Sequence, residues 1–252
     1  MINGIKTLSL VDTLYFVMRH NTEAQSIVML NGVLSMPRKG TAHKIYANNP
    51  NFAYPVHSEF AIQIRDNLLK RINTNQNTHN IRGIAKSRHI LYMSTDEVES
   101  AGESLLLYYC YRFGFTLPFL NVSLFDEQSN FIGRVDMLWN CAGYKIDKRT
   151  VDGKIHGYMC KILKGKVHNG DTLVVEFDGN VKYKNGDILA GKTSLQVIHA
   201  EKAREYNIRR CGHAVLRVRW AEFYAPKILY TRLKESSIPM RKYAHKNFVP
   251  LL

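Results

Sequence analysis

The chain is poor in the residues and motifs that mark several classes of protein. Its 252 residues include four cysteines, with no CxxC pair and no Cys/His spacing that would close a structural zinc site. We therefore expect the thiols to stay reduced, as in a cytoplasmic protein. No run of about 18 apolar residues occurs, and the opening segment MINGIKTLSL lacks the charged-then-apolar pattern of a signal peptide. Neither membrane insertion nor secretion is indicated.

The common catalytic signatures are missing as well. There is no GxSxG elbow, no Walker loop and no dinucleotide fingerprint, and none of the ten histidines forms an HExxH pair. Hydrolysis through a serine nucleophile and group transfer from a nucleotide are therefore unsupported by the sequence.

Basic residues clearly outnumber acidic residues in the chain. The chain has 35 Lys and Arg against 21 Asp and Glu, a net charge of +14. Hydrophobic residues make up 45% of the chain, which is enough for a core. A basic surplus of this size favours a polyanionic partner, with nucleic acid as the leading candidate. The alternative is a basic surface that only aids solubility.

Helical patterns dominate residues 1–97. Apolar residues recur at helical spacing from Leu8 to Leu34, which predicts one or two short helices, and a further helix is predicted from about Glu59 to Ile72. The segment 38–55 between them is rich in turn residues and is expected to form a loop. A basic segment, RGIAKSRHILYMS, is also expected to be helical. We interpret residues 1–97 as a helical N-terminal region.

The pattern changes to mixed α/β in residues 98–225. The sequence predicts a helix over 100–113 and a strand in PFLNVSLF, followed by a turn in DEQSN and a hairpin partner in FIGRVDMLW. A third strand over 172–177, a helix over about 195–211 and a last strand in AVLRVRW complete an α/β layer arrangement. Residues 226–252 are predicted to form a basic tail.

Three carboxylates lie in apolar segments of this second region. Asp136 lies in FIGRVDMLW, while Glu176 and Asp178 lie in TLVVEFDG. Because side chains alternate along a strand, Glu176 and Asp178 should project from one face and Phe177 from the other. Two neighbouring carboxylates repel each other and need a cation, a shared proton or a solvated strand end. The residues alone leave two alternatives open: an Asp136 salt bridge to a basic side chain such as Arg134, and a turn at Asp178.

Basic residues are concentrated between the two carboxylate segments. Residues 141–170 contain seven Lys and Arg and two Asp, a net charge of +5, interleaved with Tyr and His. Phosphate contacts from this segment would position a nucleic-acid backbone without reading its sequence. Lys182 follows the turn after Asp178, where its ammonium could brace a reacting phosphate. The residues expected to bind nucleic acid are Lys145, Lys148, Arg149, Lys154, Lys202 and Arg204.

Most of the chain resembles a known family. The runs SAGESLLLYYCYRFGFTLPFLNVSLFDEQSNFIGRVDMLW, VVEFDGNVKY and AEKAREYNIRRCGHAVLRVRW are similar to uncharacterised actinobacterial proteins of the PD-(D/E)XK nuclease superfamily. Their C-terminal domain is related to very-short-patch repair endonucleases. The resemblance implies a helical region followed by a restriction-endonuclease-type core, with a mixed central sheet flanked by helices. The winged-helix segment of such proteins, which is similar to abortive-infection antitoxins, has no counterpart in this sequence.

The resemblance also implies a metal centre. Carried over residue by residue, its members are Glu103 on the helix, Asp136 on the hairpin, and Glu176 and Asp178 on the next strand. Asp136, Glu176 and Asp178 would be ligands of Mg²⁺, or of Mn²⁺ as a substitute. The superfamily's usual lysine is replaced by Asp178, so that Lys182 becomes the stand-in. The basic segment at about 141–170 corresponds to an insertion.

These expectations combine into a function. The leading hypothesis is a metal-dependent endonuclease acting on DNA rather than RNA, with Glu103, Asp136, Glu176 and Lys182 as its catalytic residues. The alternative is a catalytically degenerate DNA-binding component of a toxin–antitoxin or phage-defence system. A homodimer or a cognate defence partner is expected in either case.

Overall fold

The computed structural model describes residues 7–37, 58–76, 82–140, 145–151, 154–161, 172–178 and 194–241. The chain divides into two units, the first formed by residues 1–47 and 56–108, the second by 48–55 and 109–252. The division falls inside a helix, after Tyr108, whereas the sequence predicted a boundary after residue 97. No described helix combines the length and apolar character that crossing a membrane requires.

The described part of the first unit is helical, as predicted. Two helices occupy the region between residues 8 and 34, and each begins where a polar side chain caps it. Ser9 accepts a hydrogen bond from the Asp12 N–H, and Thr22 forms a capping box with Gln25. The helices are α1 (Leu10–His20), α2 (Glu23–Leu34), α3 (Glu59–Gln76), α4 (Ile84–Met93) and the first part of α5 (Ala101–Arg112).

Leucine, isoleucine and methionine side chains fill the core between these helices. Met18, Leu30 and Leu68 are completely buried. Asn31 is equally buried, but its amide is satisfied: Oδ1 accepts from the Thr95 N–H at 2.8 Å, and Nδ2 donates to the Ser104 hydroxyl at 3.3 Å. The first unit therefore has its own core and its own buried polar anchor.

A mixed sheet organises the second unit. Its strands are β1 (Phe119–Phe125), β2 (Phe131–Asn140), β3 (Lys145–Val151), β4 (Lys154–Lys161), β5 (Thr172–Asp178) and β6 (Ala214–Arg219), in the order β3-β4-β1-β2-β5-β6. The pairs β1/β4 and β5/β6 are parallel, and the other three are antiparallel. The helices are the end of α5, then α6 (Ser194–Arg210), α7 (Trp220–Phe223) and α8 (Pro226–Glu235). The predicted α/β class is confirmed at this level, and the nuclease-type fold stays a prediction.

Two parts of the second unit contain elements that the sequence did not predict. β3 and β4 form a hairpin within the segment predicted as a basic insertion, and α8 lies in the predicted basic tail. In β3 the sequence KIDKRTV mixes charged with apolar residues, so that its strand pattern is weak. Because β3 is an outer strand of the described sheet, a charged sequence costs little there.

The crossover from β5 through α6 to β6 builds the face that carries the carboxylates. Two parallel strands need such a connection, and α6 packs against β2 and β6. Ile208 of α6 is buried against Leu138 and Val174 of the sheet. Residues Thr172 to Phe177 of β5 are all buried, as a strand covered on both faces requires.

Candidate functional site

Strand β5 carries two of the predicted ligands and places them as its alternation predicts. Phe177 packs against the rings of Trp220 and Phe223, with ring centroids 5.1 and 5.6 Å away. Glu176 points instead to the guanidinium of Arg204 on α6. The carboxylate side of β5 is therefore the side covered by α6.

Glu176 is bound by arginine. Only 7% of this residue is exposed, and its Oε1 accepts a hydrogen bond from Arg204 Nη2 at 2.6 Å. A second nitrogen of the same guanidinium, Nη1, donates to the carbonyl oxygen of Arg134 on β2 at 2.9 Å. Charge-assisted hydrogen bonds of this length are strong. Arg204 therefore joins α6 to two strands at once.

The approach of Arg204 depends on a glycine. A Cβ added at Gly133 of β2 would lie 3.3 Å from Cδ of Arg204. The side-chain stem of Arg204 thus lies directly on the strand backbone, which a larger residue at this position would obstruct.

Arg217 of β6 extends the ion pairing. Its register places it beside Glu176 on the neighbouring strand, and its Nη2 lies 3.7 Å from Glu176 Oε2. Its Nε lies 3.1 Å from Glu205, and its Nη1 lies 3.7 Å from Glu201. Burial disfavours the charged guanidinium, but the carboxylates of Glu176, Glu205 and Glu201 outweigh it and raise the pKa of Arg217. We call Glu176, Arg204, Arg217, Glu201 and Glu205 the Glu176 network.

Asp136 lies at the point where the pairing between β2 and β5 ends. Their pairing ends at Met137 and Val175, so Asp136 is the next residue of β2, opposite Glu176. Its Oδ2 accepts the backbone N–H of Phe177 at 3.1 Å, which replaces the ladder bond that the diverging strands no longer make. On the other side of β2, Asn121 of β1 has a φ of 50°, a local irregularity between the pairs that flank Asp136.

Asp178 ends β5 and faces another arginine. Its Oδ2 lies 3.8 Å from Nε of Arg219, which pairs with it in the β5/β6 register. The side chain of Arg219 is 68% exposed, so this contact is screened by water and weak.

Glu103 lies in the first unit, at the start of α5. One oxygen of its carboxylate accepts the hydroxyl of Ser100 at 2.6 Å, and the other accepts the N–H of Glu99 at 2.8 Å. Ser100 Oγ in turn accepts the Glu103 N–H at 3.1 Å, as the side chain at the start of a helix commonly does. In this structure Glu103 therefore stabilises the start of α5.

The carboxylates as arranged do not fit a bound Mg²⁺. Among the described residues, no group of three or more His, Cys, Asp and Glu side chains could hold a metal ion. Glu176 faces two guanidiniums, and Asp136 faces an N–H donor, whereas a Mg²⁺ ligand must turn its oxygen to the ion. Arginine lies beside Glu176 in this structure, and the metal site stays a prediction.

The predicted nucleic-acid-binding residues separate into three groups. Lys202 is exposed on α6, as a phosphate contact requires, while Arg204 is engaged with Glu176. Lys145, Lys148 and Arg149 lie on β3, and Lys154 begins β4. Lys182, the predicted stand-in for the catalytic lysine, lies outside the described residues.

Sequence reasoning missed the residues at the end of β6. Arg217 binds inside the Glu176 network, while Arg219 and Trp220 are exposed. The signal was present in RVRW, because two arginines at period two must share one face of a strand. The pattern could not show which acidic residues that face would meet.

Comparison with protein-family models, with curated proteins and with solved structures finds no match for this chain.

Proposed function

We propose that the second unit binds DNA through a basic surface formed by α6, the end of β6 and α8. The supporting observation is the distribution of charge over residues 194–241, which include these elements. Residues 194–241 contain ten Lys and Arg against four Asp and Glu, a net charge of +6.

Most of this acidic charge is turned inward. Glu201 and Glu205 pair with Arg217, and Glu222 pairs with Arg232, which leaves Glu235 as the fourth. The exposed charge is therefore mainly positive, and it comes from Lys202, Arg210, Arg219, Lys227 and Lys234. Arg209 is exposed as well, but it pairs with Glu205. A surface of this kind attracts a phosphate backbone and releases its counterions.

Binding would thus be electrostatic and independent of DNA sequence in its main part. Fluorescence anisotropy with a labelled duplex, repeated at several salt concentrations, tests this. We expect the logarithm of the affinity to fall linearly with the logarithm of salt concentration. An RNA of the same sequence, measured side by side, tests the preference for DNA.

A matched pair of charge reversals locates the surface. Lys202→Glu on α6 should weaken binding about tenfold, or about 1.4 kcal/mol. Lys70→Glu, an exposed lysine on α3 of the first unit, makes the same change in net charge and should have a much smaller effect. Equal losses in the two variants would show a response to total charge and would refute the assigned surface.

Metal-dependent cleavage of DNA is the second candidate. One observation favours it: Asp136 and Glu176 lie on adjacent strands at the point where the strands diverge. This function requires Arg204 to leave Glu176. Incubation of plasmid DNA with Mg²⁺ or Mn²⁺ tests it, and cleavage that disappears in Asp136→Ala would support it. Salt-sensitive binding without cleavage is the result that a catalytically degenerate DNA-binding component of a toxin–antitoxin or phage-defence system would give.

A further inference from the structure

Three exposed side chains with an affinity for nucleic acid lie close together in the chain at the end of β6. Arg219 ends the strand, Trp220 begins the single turn α7, and Tyr224 follows that turn. Trp220 is 37% exposed and Tyr224 is 86% exposed. We call Arg219, Trp220 and Tyr224 the β6 platform.

The base of this platform is fixed by the core. Trp220 meets the rings of Phe177 and Phe223 edge to face, with centroids 5.1 and 5.7 Å away. Phe223 stacks on Phe177 and on Tyr109, both at 5.6 Å. The Trp220 ring, held by two others, therefore loses little conformational freedom when it binds a ligand.

The backbone of the platform is also held. Glu222 Oε2 accepts the N–H of Arg219 at 2.7 Å, and its other oxygen pairs with Arg232 of α8. The position of Trp220 is therefore set before any partner arrives.

A single exposed aromatic residue is common on protein surfaces and needs no explanation. Here a tryptophan, a tyrosine and an arginine are exposed within six residues, on the basic surface proposed to bind DNA. Bases inside a duplex are stacked on one another and cannot lie flat on a protein ring, whereas unpaired bases can. Aromatic rings beside cationic side chains are the usual means of binding single strands.

We propose that the β6 platform stacks the unpaired bases of single-stranded DNA, with Arg219 contacting the adjacent phosphate. The proposal rests on the proposed function and names its substrate class. Because each base has a π face, the stacking would tolerate any sequence.

Intrinsic fluorescence can test this directly. The chain has two tryptophans, and Trp139 is 2% exposed with its indole N–H bonded to the Thr116 carbonyl at 2.8 Å. Quenching by DNA therefore reports on Trp220. We expect a thymidine oligonucleotide to quench the emission, a blunt duplex of equal length to quench it much less, and Trp220→Phe to abolish the response.

Affinity gives a second readout that does not depend on tryptophan. Tyr224→Ala should lower the ratio of single-strand to duplex affinity about tenfold. Tyr92→Ala removes a tyrosine that is 71% exposed in the first unit, and it should leave this ratio unchanged. Urea unfolding of each variant checks that the fold is retained.

The outcomes separate the two proposals. Binding of both DNA forms without preferential quenching by the single strand overturns the β6 platform and leaves the proposed function intact. Quenching by single-stranded RNA but not by single-stranded DNA overturns it too. Binding of neither DNA form overturns the proposed function together with the platform.

Discussion

Two neighbouring parts of the second unit use arginine in opposite ways. In the Glu176 network, Arg204 and Arg217 satisfy carboxylates that α6 has covered. In the β6 platform, Arg219 follows Arg217 by two residues on the same strand, yet its side chain is 68% exposed. The first set of charges stabilises the fold, and the second remains available to a partner. Substitutions in the two places should therefore affect different measurements.

The largest effect is expected from Glu176→Ala. It leaves Arg204 and Arg217 without their shared carboxylate in a covered position, which should reduce the free energy of unfolding by about 3 kcal/mol. Because the Arg204 side chain is 32% exposed, this value is at the low end for a broken buried pair. The midpoint of urea unfolding measures it.

Glu235→Ala is the matched control, since Glu235 is exposed at the end of α8. Its free energy of unfolding should change by less than about 0.5 kcal/mol. Similar values for the two variants would contradict the distinction between the covered network and the exposed surface.

Acidification should reduce the free energy of unfolding through a buried histidine. His213 is 2% exposed beside the hydroxyl of Thr172, and burial lowers its pKa to about 4. Its pKa in the unfolded chain is about 6.5, so below this value the unfolded state binds a proton that the folded state does not. Stability is complete above pH 6.5 and decreases as the pH falls towards 4.

Between pH 7 and pH 5 this difference amounts to about 2 kcal/mol. Urea unfolding at both pH values measures it, and His213→Asn should remove most of the slope. If the variant keeps the same slope, other groups account for the acid sensitivity.

A smaller effect is expected where Arg204 crosses β2. Gly133→Ala places a Cβ 3.3 Å from Arg204 Cδ, and the guanidinium is held at Arg134 and at Glu176, so the side chain cannot move freely. We expect a loss of about 1 kcal/mol. Gly32→Ala in α2 meets no atom within 4 Å and should stabilise its helix instead. Chemical unfolding of both variants should show opposite signs.

The smallest effect concerns the exposed surface. Lys202→Ala should leave the free energy of unfolding unchanged and reduce the salt slope of DNA binding by about 0.9. Anisotropy titrations at four or more salt concentrations have the precision for this. An unchanged slope would mean that Lys202 contacts no phosphate, and the basic surface would then lie elsewhere.

The sequence predicted the elements with strong periodicity. Both helices before residue 35, the β1/β2 hairpin, β5, α6 and β6 are present. β3 and β4 were not predicted, because neither KIDKRTV nor KIHGYMCK shows a clear apolar alternation. Their pairing depends on β1, which lies on the other side of β4 in the sheet.

The carboxylates were identified from the sequence, but their partners were not. Glu176 and Arg204 lie 28 positions apart, and only the packing of α6 over Gly133 brings them together. A covered carboxylate attracts a cation of either kind, metal or guanidinium, and the local sequence is the same in both cases. For Asp136 the hydrogen bond to the Phe177 N–H depends on where two strands separate, which no local pattern encodes.

The order of the strands has a consequence for self-association. β3 and β6 are the outermost strands of the described sheet, and the open edge of such a strand can pair with another copy of the chain. β3 contains Lys145, Lys148 and Arg149, and β6 ends in the exposed Arg219. Two like-charged edges repel each other as they approach. The exposed Arg219, which pairs only weakly with Asp178, therefore also helps to protect the protein against edge-to-edge aggregation, and this protection should weaken as salt screens the charges.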